Sequence, residues 1–416
     1  MKIAALTRIP VRRWAAMLLA FTVWHAAAVP DMEPEAAGLH WVGTWSATPQ
    51  QPWHNGASLA TGFYRQTLRE IVHVSIGGSR VRVRFTNAHG QAPLRIGAAH
   101  VALRSHGAAT VPGSDRALAF GGKFGVTIAP GAAVLSDPVN LEVPPRSDLA
   151  VSIYLPAATG LPTLHFRSRQ TNYVSPKGNF TSAASMPVAS TTVCAEQFVN
   201  RVCTSPWYFL AGVDVRASAG VGAVVALGDS ITAGAGTTTD TNRRWPDVLA
   251  RRLLNQGPVM GVLDQGLDGN TLWTSALGLS ALARFDRDVV AASGARFVIV
   301  LLGINDLRAG ASAARVISGL QQLVTRAHAA GLKAYGGTLT PFLRASDAQE
   351  AQRQAVNRWV RTSGAFDAVI DFDAALRDPA WPRRMRPLYD SGDTLHPNAA
   401  GYEAMAGAID LSLFRP

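Results

Sequence analysis

The stretch "VVALGDSITAGAG", Val224 to Gly236, runs four apolar residues into Gly-Asp-Ser and then into a turn of Gly, Ala and Thr. An unbroken apolar run bounded by glycine reads as a strand buried on both faces, the kind found in parallel sheets. A serine placed after it stands at the carboxyl edge of such a sheet, where ligands bind. The chain beyond keeps the same grammar. Pro246 opens a helix ("PDVLARRLL"), and "VMGVLDQG" (259–266) is a second strand. A helix through "ALARFDRDVVAAS" (281–293) leads to "RFVIVLLG" (296–303), the most apolar strand of the protein. In "ARVISGLQQLVTRAHAAG", Val316, Leu320, Leu323 and Ala327 share one helical face, and Gly331 stops the helix. "KAYGGTLT" (333–340) and "DAVIDFD" (367–373) are further strands. This alternation over residues 221–416 predicts an α/β domain, a flavodoxin-like open parallel sheet with helices on both faces.

Residues 39–218 follow another rhythm, with a period near two. "REIVHVSIGGSRVRVRFTNAHG" (69–90) reads as two strands joined by a Gly-Gly-Ser turn, with Val81, Val83 and Phe85 facing one way and Arg80, Arg82 and Arg84 the other. "LRIGAAHVAL", "FGVTIAPGAAVLS" and "LAVSIYLP" continue it between Pro and Gly punctuation. Many short strands at this spacing predict an all-β, jelly-roll-like sandwich domain ahead of the parallel sheet.

The 416 residues suffice for two such cores, and 48% hydrophobic against 16% charged residues describes a folded globular protein. Of the net charge of +11, four units (Lys2, Arg8, Arg12, Arg13) fall in residues 1–28, which carry no acid. That segment reads as a signal peptide: a basic start, an apolar stretch from Trp14 to Trp24 too short to span a bilayer comfortably, and Ala26-Ala27-Ala28 as cleavage site. The expected product is secreted or periplasmic, without stable membrane insertion after signal removal. Its two cysteines, Cys194 and Cys203, are expected to form a disulfide in an oxidising compartment. Lysine is confined to Lys2, Lys123, Lys177 and Lys333, so nearly all 39 basic residues are arginines. They are scattered rather than gathered on a basic helix, which argues against nucleic-acid binding. No Gly-x-Gly-x-x-Gly or Gly-x4-Gly-Lys loop follows a strand, so no nucleotide cofactor is expected, and no metal either.

The strand ends carry Ser230, then Gly266 to Asn270, then Asn305, while the last loop, "YDSGDTLHPNAAGY", holds Asp393 and His396. Each has a plainer reading. Gly-Asp-Ser arises by chance, Asn305 suits a helix cap, and His396 precedes a proline. Only His328 and His396 lie beyond residue 220, and His328 falls in the last turn of a helix, where a cation suits the dipole. An imidazole base for Ser230 is therefore His396, with Asp393 close enough to fix its tautomer. The Gly-x-Ser-x-Gly elbow of the α/β-hydrolases is absent around Ser230.

In order, "GDSIT", "LDGNT", "GIND" and "DTLH" resemble the four blocks of the SGNH or GDSL hydrolase family, over residues 221–416. The resemblance implies a serine ester hydrolase without cofactor: nucleophile Ser230, base His396, acid Asp393. It implies an oxyanion hole made by the backbone N–H groups of Ser230 and Gly269 and the amide of Asn305. One departure is that Asp264 and Asp268 stand where related sequences more often carry Asn and a small or apolar residue, which puts an acid beside the oxyanion hole. The sandwich half resembles the β-sandwich preceding some secreted members, through "WVGTWSATPQ" and "GGSRVRVRFTNAHG".

The expected substrate is an ester, O-acetyl groups on a polysaccharide being favoured because Trp45 and Trp53 offer rings that can stack on sugars. A lipid or lysophospholipid acyl-ester hydrolase is the alternative within the class, disfavoured by the lack of a long apolar lid segment. A carbohydrate-binding protein with a silent hydrolase domain is the alternative outside it.

Overall fold

The computed structural model describes residues 38–52, 62–192, 206–275 and 277–415. The signal segment, Trp53, Cys194 and Cys203 lie outside the described residues. From Ala37 onward the chain forms one compact unit.

The antiparallel part uses strands β1 (Leu39–Ser46), β2 (Gln66–His73), β3 (Gly78–Thr86), β4 (Ala98–His106), β5 (Val139–Val143), β6 (Asp148–Leu155), β7 (Asn172–Lys177) and β8 (Leu210–Ser218). One sheet runs β1-β8-β3-β5; the other contains β7-β2-β6-β4, extended by shorter strands. Val81, Val83 and Phe85 are fully buried while the intervening arginines are partly exposed, as the alternation predicts. The two strands flanking Gly77 and Gly78 do not pair with each other, however: β2 lies in one sheet and β3 in the other. Val74 and Ile76, both buried in the core, carry the chain across the sandwich. Alternation assigns a strand's faces but not its partner.

The parallel part comprises β9 (Gly222–Gly228), β10 (Met260–Gly266), β11 (Ala295–Leu301), β12 (Lys333–Gly337) and β13 (Ala368–Ile370). Their order is β10-β9-β11-β12-β13, all parallel, which is the doubly wound 2-1-3-4-5 arrangement with its switch point beside β9. Among the described residues seven α-helices accompany them: α1 (Trp245–Gln256), α2 (Ala281–Phe285), α3 (Ile304–Arg308), α4 (Ala313–Ala329), α5 (Asp347–Thr362), α6 (Phe372–Leu376) and α7 (Ala399–Gly407). Val316, Leu320, Leu323 and Ala327 form the buried face of α4, and Gly331, at φ +74°, ends it. The helix expected over residues 281–293 is shorter and changes at Asp286 to one π-helical stretch ending at Val290.

The sandwich covers the otherwise open edge of this sheet, strand β10. Ser75 Oγ accepts the Val262 N–H at 3.0 Å, and the Gly43 N–H reaches Ser293 O at 2.8 Å. One contiguous apolar core extends from Val42 in β1 through Val224–Leu227 to Phe414. Covering an edge strand satisfies its outward backbone groups and removes a template for aggregation.

Candidate active site

Strand β9 is buried along its whole length, and the chain turns sharply immediately after it. Asp229 makes the turn: its side chain accepts the Ile231 N–H at 3.0 Å, and its carbonyl accepts those of Thr232 and Ala233. Ser230 is thereby fixed at the sheet's carboxyl edge. The turn packs so closely on the end of β10 that a Cβ on Gly266 would lie 2.1 Å from the Ala233 nitrogen. Small residues around the serine are thus a packing requirement before they are a catalytic one.

The loop before α7 brings the histidine to it. Asp390 Oδ1 accepts the N–H groups of Gly392 and Thr394, and Asn398 caps α7 through the N–H groups of Ala400 and Gly401. Between these anchors His396 Nε2 lies 2.9 Å from Ser230 Oγ, and His396 Nδ1 lies 2.5 Å from Asp393 Oδ2. The other oxygen of Asp393 accepts the backbone N–H groups of Leu395 and His396. Burial opposes ionisation of Asp393, but the imidazole and the two backbone donors outweigh it and hold the carboxyl well below its usual range. An ionised acid there keeps the ring's Nδ1 protonated and its Nε2 facing the serine as an acceptor.

Gly269 occupies the turn after β10 at φ +70°, where a side chain is strained, and a Cβ there would meet Leu277 at 2.7 Å. Asn305, in α3, donates one N–H to Asn270 O at 3.0 Å, while its oxygen accepts from Arg308 at 3.2 Å. The second and third blocks are therefore joined at the carboxyl edge. Asp306, next in sequence, turns inward to accept the Leu272 N–H; burial lifts its carboxyl to about 6. His328 is elsewhere, half exposed at the end of α4 and bonded to Asp367.

Three contributors escaped the sequence reading. The first is Arg284, a guanidinium with no exposed surface whose N–H groups reach Gly228 O, Gln265 O, Asn270 Oδ1 and Asp288. It ties the end of β9, the end of β10 and the glycine turn into one rigid body. A lone arginine between Ala283 and Phe285, in a helix otherwise apolar on that side, was the available signal. The second is Thr48, which donates to the same Asp288 from the sandwich, beside Gln50, whose amide reaches Leu277 O at 2.6 Å. The third is a pair of sandwich arginines, Arg167 and Arg169, beside Asp268. Among the described residues no group of three His, Cys, Asp or Glu side chains is placed to hold a metal ion.

Asp229 has a consequence for stability. Burial, reinforced by the neighbouring carboxylates Asp268 and Asp306, lifts its carboxyl to about 7. A folded-state value above the unfolded one means folding binds a proton, so this group removes stability as pH rises from about 4 to about 7. Asp229→Asn, which keeps an acceptor for the Ile231 N–H, is expected to match the parent near pH 4 and to melt higher at pH 8. Thermal unfolding at the two pH values checks this, and equal gains at both would contradict it.

Residues 226–404 match the sequence model of the GDSL-like Lipase/Acylhydrolase family. They form a GDSL-like lipase/acylhydrolase domain. The chain is thus a serine ester hydrolase, and the GDSL-like domain holds every residue of the Ser230, Asp393 and His396 cluster. No curated protein sequence matches the chain significantly. Solved structures similar to part of the chain include a member of the lipolytic protein G-D-S-L family from Veillonella parvula (20% identity, covering 44% of this chain and 94% of that one, TM-score 0.35). An aryl esterase from M. smegmatis (16% identity, 45% and 95% covered, TM-score 0.37) and a carbohydrate acetylesterase from Sinorhizobium meliloti (16% identity, 45% and 95% covered, TM-score 0.36) are also similar.

Proposed function

We propose that the chain is an exported esterase that removes short acyl groups, acetyl foremost, from carbohydrate, with Ser230 as nucleophile, His396 as general base and Asp393 as the acid that orients it. The observation that carries the catalytic assignment is the unbroken relay from Ser230 Oγ through His396 to Asp393, at 2.9 and 2.5 Å. His396 Nε2 takes the hydroxyl proton as Oγ bonds to the carbonyl carbon, then delivers it to the departing alcohol oxygen as the ester C–O bond breaks. Water repeats the cycle on the acyl-enzyme and releases the acid. The negative charge on the carbonyl oxygen would be met by the N–H groups of Ser230 and Gly269 and by the second N–H of Asn305.

A short acyl group is supported by crowding: Ser230 and His396 are 8% and 9% exposed, and Tyr402, Arg169 and Trp245 pack against the serine's turn. Of the two rings expected to face sugar, Trp53 lies outside the described residues. Trp45 is buried, packed edge-to-face on Trp207 with centroids 4.8 Å apart, so it belongs to the core and cannot stack on a ligand. Trp273, three residues beyond Asn270, is exposed at the catalytic edge under Arg315 and supports the role instead. Export rests on residues 1–28, which lie outside the described part. The test is hydrolysis of acetyl against octanoyl model esters, followed by acetate release from acetylated polysaccharide. Faster octanoyl cleavage supports a lipid-directed enzyme, and inertness toward both supports a binding protein.

A further inference from the structure

The sandwich loop between Phe166 and Thr171 crosses onto the GDSL-like domain and stops beside Asp268. Arg167 Nη1 lies 2.9 Å from Asp268 Oδ2, and Arg169 Nη2 lies 3.5 Å from the same oxygen. Arg169 also donates to Ala233 O, in the nucleophile's own turn, and Arg244 holds the loop through Ser168 O at 2.7 Å. Gln170 and Thr171 fix its far end on Asp240. Both arginines adopt left-handed backbone, at φ +61° and +52°, a conformation costly for a residue with a side chain. The loop accepts that cost at the two positions whose side chains reach Asp268.

Asp268 immediately precedes Gly269, and its side chain is 7% exposed. A bare carboxylate there would oppose the negative charge that develops on the carbonyl oxygen, and the low local dielectric would magnify the opposition. We infer that Arg167 and Arg169 are positioning residues for ester hydrolysis: they neutralise Asp268, so that the acid anchors the sandwich loop without opposing the oxyanion. This rests on the assignment of Ser230, Gly269 and Asn305 above. The charges that act on this spot come from several elements. Arg167, Arg169 and His396 favour the Asp268 carboxylate, outweighing its burial. Asp268 in turn acts on Asp229 in the nucleophile turn, on His165 of the sandwich and, with Asp393, on Tyr402 of α7.

The experiment compares Arg167→Ala, the Arg167→Ala/Arg169→Ala pair, and that pair combined with Asp268→Asn, using a soluble acetyl ester. The pair is expected to lower kcat about 10- to 100-fold with little change in KM. Arg167→Ala alone, whose side chain is a third exposed, is expected to lower kcat by less, and serves if the pair does not fold. Adding Asp268→Asn should recover most of the lost kcat. A loop that is merely tied down predicts the reverse, since Asp268→Asn breaks the tie as well. Unchanged kcat in the arginine variants, or no recovery on adding Asp268→Asn, overturns the inference. Retained turnover in Ser230→Ala would instead overturn the catalytic assignment on which it stands.

Discussion

Ser230→Ala and His396→Ala are each expected to abolish ester hydrolysis, by about 10⁴-fold or more and to a similar depth, whereas His328→Ala stays close to the parent. A hydroxyl is a weak nucleophile near neutral pH unless a base removes its proton as the new bond forms. The structure supplies one imidazole at that distance, 2.9 Å from Ser230 Oγ. Because the two groups act as a unit, losing either removes the same step, and the double variant should be scarcely worse than either single one. His328 is paired with Asp367 on the surface and has no route to the serine. Asp393→Asn should reduce kcat strongly but leave more activity than His396→Ala, since the ring still bonds to Ser230. Single-turnover kinetics with a chromogenic acetyl ester, on variants shown by circular dichroism to be folded, decides the matter. Near-parental turnover in folded His396→Ala would refute the relay.

Asn305→Ala is expected to lower kcat by about 10²- to 10³-fold with KM for a small ester nearly unchanged. The argument turns on when its amide is used. In the free enzyme one N–H is bonded to Asn270 O, and the oxygen is held by Arg308, so the side chain is preset rather than recruited. The other N–H gains a strong partner only when the carbonyl oxygen carries charge, which is in the transition state. Losing such a donor raises the barrier by about 3 to 4 kcal/mol without weakening ground-state binding. Alanine also removes the tie between the second and third blocks, so a crystal structure or melting curve of the variant must accompany the kinetics. A rise in KM at constant kcat would make Asn305 a ground-state binding residue.

What the sequence made legible follows from the range of the interactions involved. The parallel half could be read because long apolar runs, capped helices and strand-end motifs are local signals. Ser230, Asp393 and His396 come together at the carboxyl edge, and Asn305 is joined to the turn that holds Gly269. The crossing between β2 and β3 was illegible because alternation is the same whichever sheet a strand joins. Trp45 looked like a ligand-facing ring because sequence does not reveal which face of β1 meets Trp207. Arg167 and Asp268 are 101 residues apart, in halves with different patterns, and nothing local in either segment announces the other. The Asp268 departure was visible as a liability in the second block, but its neutralising partners were not.

The distances along the chain between the site's partners bear on when the enzyme becomes active. Ser230 and His396 are separated by 166 positions, and Thr48 and Asp288, behind the glycine turn, by 240. Closing such long loops costs chain entropy before the contacts that compensate it can form. A polypeptide made only a little beyond Ser230 therefore carries a serine whose proposed base lies 166 positions further on. On the proposed assignment, acyl transfer therefore waits for the fold to close these loops.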